Sequence, residues 1–110
     1  MSDSHIEITT KKDLKEYVQK NPVVIVKFKA EWCGPCKKIN PLVNRLMKQY
    51  DKMKYVVVDV DNRGGIASQL RIRSIPTLAS YLDGDIHGII STSDTDEIQT
   101  FFKETNTHVK

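Results

Sequence analysis

One hundred and ten residues, 39% hydrophobic and 28% charged, suit one globular domain over 1–110 and exclude a second domain, a collagen-like chain and a disordered one. Seventeen Lys plus Arg against fourteen Asp plus Glu leave a net charge of +3 with no concentrated basic run, so nucleic acid is not an expected partner. Two cysteines are too few for a disulfide framework or for four zinc ligands, and apolar stretches as short as Val23–Val26 and Tyr55–Val58 exclude a membrane span.

The amino terminus has an early acid, no basic segment and no long apolar run, so no signal peptide is expected and the chain reads as cytoplasmic. Ile6 and Ile8 alternate with polar residues and predict a short first strand; Thr10-Lys-Lys-Asp13 then resembles a capped helix start, with Leu14, Tyr17 and Val18 as its apolar stripe. Asn21-Pro22 ends that helix. Val23–Lys29 is a β-branched run of the kind covered on both faces at the centre of a sheet. From Cys36 onward, Ile39, Leu42, Val43, Leu46, Met47 and Tyr50 keep helical spacing, and Pro41 is expected only to kink this helix. A second buried strand, Tyr55–Val60, completes a βαβ unit, and a short helix over 65–70 follows.

Strands Thr77–Leu82 and Ile86–Ile90 flank Asp83-Gly84-Asp85, a hairpin signal that makes them antiparallel neighbours. A last helix starts near Asp94 and buries Ile98, Phe101 and Phe102 ahead of a polar tail. The order βαβαβαββα predicts an α/β fold, a mixed sheet with helices on both faces.

The chemistry concentrates in Trp32-Cys33-Gly34-Pro35-Cys36-Lys37, where the first buried strand ends and the long helix begins. Sites in open α/β sheets form outside the carboxyl ends of strands. Projecting the helical stripe backwards puts Cys36 on the buried face and Cys33 at the first turn or cap, where it is expected to reach solvent. Residues i and i+3 of a helix lie roughly 5 Å apart, within the span of a disulfide. Unpaired N–H groups at the helix start favour a thiolate at Cys33. Cys33 is therefore the expected nucleophile and Cys36 the resolving thiol. Pro35 loses no helical donor in the first turn, and Gly34 leaves the sulfur open to an incoming chain.

Trp32-Cys33-Gly34-Pro35-Cys36 and Ser74-Ile75-Pro76-Thr77 together resemble the active-site motif and the cis-proline loop of the thioredoxin family, and the similarity runs over essentially the whole chain. The resemblance implies the thioredoxin fold, a central mixed β-sheet flanked by four α-helices. It also implies reduction of protein disulfides through a redox-active Cys33–Cys36 disulfide with no other cofactor, and recycling by an NADPH-dependent thioredoxin reductase. A cis bond before Pro76 follows from it, with Trp32, Ile75 and Pro76 in a target-binding groove. Three positions depart from the family pattern. Lys27 stands in place of a buried acid beneath Cys36, with Asp59 and Asp61 as possible partners unless its stem snorkels to the edge. Lys29 stands where an aromatic or small residue is usual, and Ser91 or Thr92 replaces a glycine beside the proline loop.

Other readings are weaker. A lone CxxC is also half of a zinc site, but His5, His87 and His108 are scattered, pair with no cysteine and read as surface residues, so no metal is expected. Lys11, Lys12 and Lys15 read as a solvated helix face. The expectation is a monomeric protein dithiol-disulfide oxidoreductase. The alternative is a thioredoxin-fold binding module whose thiols are incidental, kept open by Lys27.

Overall fold

The computed structural model describes residues 6–62 and 64–110; His5 lies outside them. Its organising element is strand β2 (Val23–Lys29), third in a five-stranded sheet of order β1-β3-β2-β4-β5. β1 (Ile6–Glu7) and β3 (Lys54–Asp59) run parallel to their neighbours, whereas β4 (Thr77–Leu82) is antiparallel to β2 and to β5 (Asp85–Ser91). The sheet is mixed, as the element order predicts.

Period-two alternation along β2 divides the core. Val23 and Ile25 point into a cluster with Ile39, Leu42, Val43 and Leu46 and with Ile98, Phe101 and Phe102. Val24, Val26 and Phe28 point into a second cluster with Leu14, Val18 and Ile66. The first face is covered by α3 (Asn40–Gln49) and α5 (Thr95–Asn106), the second by α1 (Lys11–Lys20) and α4 (Ile66–Gln69). Both faces of β2 are thus closed to water, which is why its sequence shows almost no polar alternation.

Local signals work as their chemistry requires. The Thr10 side chain accepts from the Asp13 N–H at 3.0 Å and Asp94 from the Glu97 N–H at 3.0 Å, so α1 and α5 both begin on a side-chain cap. In the hairpin, Asp83 and Gly84 both take positive φ, 52° and 91°, the combination that matches the twist of two antiparallel strands.

One expectation needs correction. The single helix kinked by Pro41 is two segments, α2 (Gly34–Lys38) and α3, meeting at Ile39. Proline cannot donate to the carbonyl four residues back, so the ladder stops and Pro41 sits in the first turn of a new segment, where its missing N–H costs nothing. Counting α2 and α3 as one interrupted helix, four helices flank the sheet.

Phe102 is fully buried between α5 and the sheet, whereas Ile89 on edge strand β5 is 45% exposed. Phe102→Ala should destabilise the protein by about 3–5 kcal/mol, and Ile89→Ala by no more than about 0.5 kcal/mol, in urea unfolding of the oxidised form.

Candidate functional site

β2 ends at Lys29, and the chain turns through Ala30, Glu31 and Trp32 into α2. Cys33 is the N-cap of α2 and Cys36 lies in its body. The two are joined in a disulfide, with Cα atoms 5.3 Å apart, the separation expected for i, i+3 on a helix. The Cys36 N–H donates to Cys33 Sγ at 3.1 Å, so this sulfur takes the capping place an oxygen usually fills.

Cys33 does not reach solvent as expected. It is 4% exposed and Cys36 1%. Both pack with Ala30, Val60 and Ile75. The cause is the cap itself, because a side chain that turns back to accept from its own helix and bonds to Cys36 is drawn under the loop. Trp32 is the exposed group, at 70%, with its ring anchored by Nε1 donating to Asp61 Oδ2 at 2.9 Å.

Ile75-Pro76 is cis, as the family pattern implies. Ile75 is half-buried against the cysteines, and Pro76 is buried at the head of β4. Thr77, next in the chain, places its hydroxyl 2.6 Å from the Ser74 carbonyl and 2.7 Å from the Ser91 hydroxyl. Ser91, paired in register with Thr77, is therefore the residue beside the proline loop. Thr92 belongs instead to the start of α5, where its hydroxyl accepts from the Asp94 N–H and donates to Glu97.

Lys27 continues the Val23–Ile25 face of β2 and is 3% exposed, so it does not snorkel to the edge. Its Nζ donates to the Cys36 carbonyl at 2.8 Å and to the Asn40 side-chain oxygen. Asn40 went unremarked in the sequence, where its place in the first turn of α3 beside Pro41 suggested only helix initiation. Of the acids considered for Lys27, Asp59 forms an ion pair with Lys29 at 3.5 Å, and Asp61 holds Trp32.

Lys29 also meets Glu31 at 2.6 Å. Burial works to lower its pKa, but the hydrogen bond and charge of Glu31, with Asp59 and Glu7, hold the ammonium above its ordinary value. The same contact holds the Glu31 carboxyl below its usual range. These groups border a pocket of about 490 Å³ that opens beside Lys27, Asn40 and Cys36, with Tyr55 and Val57 as its apolar wall. The pocket thus borders Cys36 on the side of Lys27 and Asn40.

His87 and His108 are exposed, as expected of surface residues, but they are not scattered. Their ring centroids lie 4.7 Å apart and both face Glu104. Twenty residues separate them in sequence, and the packing of β5 against α5 brings them together.

The thioredoxin family model matches residues 5–104. Thioredoxin 1 of Plasmodium falciparum is 39% identical over 77 residues, covering 70% of this chain and 74% of that protein. Thioredoxin 1 of Synechococcus elongatus is 44% identical over 71 residues, covering 64% and 66%. Among solved structures, oxidised mitochondrial thioredoxin 3 of Saccharomyces cerevisiae superposes with a TM-score of 0.88 at 27% identity, covering 92% of this chain and 95% of that one.

Asn40→Ala takes one acceptor from the buried Lys27 amine. It should lower stability by about 1–3 kcal/mol, read from denaturant unfolding of the oxidised protein with and without the substitution.

Proposed function

We propose, on the premise that the chain belongs to the thioredoxin family and is a thiol-disulfide oxidoreductase, that Cys33 is the attacking thiol, Cys36 the resolving thiol and target-protein disulfides the substrates. The observation that carries this reading is the Cys36 N–H donating to Cys33 Sγ. A backbone donor aimed at one sulfur stabilises negative charge there, and Cys36 has no such donor from its partner. Exposure contributes little to the assignment, since both cysteines are covered.

In the reduced protein the Cys33 thiolate attacks one sulfur of a target disulfide. A Cys33–target bond forms, and the other target sulfur leaves as a thiolate. Cys36 then gives up its proton and attacks Cys33 Sγ, closing the intramolecular disulfide and releasing the second target sulfur. Two electrons and, after protonation, two protons have passed from the dithiol to the target. Membership of the family implies a thioredoxin reductase to return the protein to its dithiol form; the finer reading is an NADPH-dependent enzyme, which supplies those two electrons. Trp32 and Ile75, on either side of the cysteines, and the backbone at Pro76 form the surface against which an extended target segment lies. Gly34 suits this approach, because a side chain built there would meet nothing within 4 Å and the space is left to the target. Pro35 holds the turn between the two cysteines.

Lys27 supports the site from below. Its ammonium fixes the Cys36 carbonyl and places a positive charge beneath the pair, and the pocket beside it gives water access for the proton that Cys36 loses and regains. The 110 residues act as one monomeric domain, with neither a membrane nor a nucleic acid as partner, and the cytoplasm is the compartment that keeps such a dithiol reduced. Among relatives, one spinach form is chloroplastic and one yeast form mitochondrial.

Insulin reduction with dithiothreitol tests the whole reading: the protein should accelerate it well beyond dithiothreitol alone, and an unchanged rate overturns it. Cys33→Ser should abolish the acceleration. Cys36→Ser should trap a stable mixed disulfide with the target, seen as an added mass; an adduct on Cys33→Ser instead reverses the roles. Lys27→Met, which keeps the stem and removes the charge, should move the thiolate ultraviolet titration of the reduced protein to higher pH. Coincident titrations remove Lys27 from the redox machinery.

A further inference from the structure

The exposed spot where β5 meets the end of α5 gathers three metal-ligating side chains, the one such group among the described residues. Glu104 and His108 are four apart and so stand on one side of the same helical turn. His108 keeps that turn although α5 ends at Asn106, because its N–H still donates to the Thr105 carbonyl at 3.1 Å. His87 arrives from the edge strand by a different device. Tyr81 pairs with Ile86 and Ser80 with Gly88, so His87 is an extra residue with no partner on β4. Gly88 faces α5, where an added Cβ would lie 3.6 Å from the Phe101 ring. Strict alternation would turn His87 to the opposite side of the sheet from Gly88. The bulge instead aims it at α5, to within 3.4 Å of Glu104.

We propose that His87, Glu104 and His108 form a binding site for a divalent transition-metal ion of the zinc class, held by two imidazoles and one carboxylate. The geometry favours that class. Ligand atoms about 2.1 Å from a tetrahedral zinc ion lie roughly 3.4 Å from one another. Glu104 Oε2 is 3.4 Å from His87 Nε2 and 3.1 Å from His108 Nε2. All three ligand atoms lie within 4.8 Å of one another, a spread that a modest rotation of either ring closes. Glutamate is ionised at neutral pH, so Glu104 offers an anionic oxygen to the ion. Two imidazoles select zinc, copper or nickel over magnesium and calcium. Three protein ligands leave a position for water, and the exposure of all three gives the ion an open path.

The site is separate from the redox pair. His87 lies four residues from Ser91, the β5 residue beside the proline loop, or about 13 Å along the strand at 3.3 Å per residue. An ion bound there ties the edge strand to the last turn of α5 without engaging either cysteine.

Calorimetric titration of the oxidised protein with zinc chloride tests this, because the closed disulfide keeps both sulfurs from competing. One ion per chain should bind, and magnesium should give no heat. His87→Gln, His108→Gln and Glu104→Gln should each weaken zinc binding by roughly tenfold or more, with circular dichroism and insulin reduction unchanged. In the wild-type protein, zinc should shift the imidazole resonances of His87 and His108 and leave those of His5. No binding by wild type, binding unaltered in the glutamine variants, or shifts confined to His5 would each overturn the site.

Discussion

The burial of β2 on both faces is the constraint from which the rest follows. A strand with six buried residues out of seven must have a helix layer on each side, and each layer must return to the sheet without leaving backbone groups unpaired. α2 and α3 meet the first requirement on one face by starting immediately after β2, and the parallel pairing of β2 with β3 then takes the crossover through them. The cysteines therefore sit where the buried strand gives way to the helix, where the chain has left the sheet and the first N–H groups of α2 have no ladder partner. Cys33 is recruited as cap by that shortage of acceptors, and capping is what differentiates the two sulfurs.

Lys27 strains this arrangement most. An ammonium in an apolar series costs several kcal/mol unless its protons find acceptors. The Cys36 carbonyl and Asn40 supply two of them, from α2 and from the first turn of α3. Asn40 lies four residues after buried Cys36 and three before buried Val43, so its side chain is on the helix face turned to the strand. The buried Lys27 amine in β2 and its side-chain acceptor in α3 are thus compensated together.

Much of this was legible in the residues. β2 and β4 have the limits their apolar runs predict, and the caps at Thr10 and Asp94 and the Asp83-Gly84 turn are local events that need no tertiary information. The cis bond before Pro76 was readable only through the family pattern, since nothing in an isolated Ile-Pro pair selects it. What escaped depends on tertiary contact. Cys33 looks exposed on a helical projection, because a projection carries no account of a cap that folds its own sulfur inward. Asn40 had no visible partner until β2 and α3 were laid together. His87 and His108 joined only through a bulge, and a bulge leaves no mark in a sequence whose strand would otherwise alternate normally.

A covered Cys33 also bears on how the pair is reached. The sulfurs lie under Ile75 and Val60, while the ring of Trp32 stands outside in solvent, held to Asp61. The scaffold on either side is fixed: Lys27 anchors the Cys36 carbonyl, and the Thr77 hydroxyl bonds both the Ser74 carbonyl and the Ser91 side chain. Neither the helix start nor the proline loop can open without giving up buried hydrogen bonds. Breaking the disulfide removes the bond between the sulfurs and leaves Cys33 Sγ the hydrogen bond from the Cys36 N–H, so the thiolate keeps its donor beside the open space at Gly34. A frame held on both sides of the pair by buried hydrogen bonds lets the same backbone serve the oxidised, mixed and reduced states.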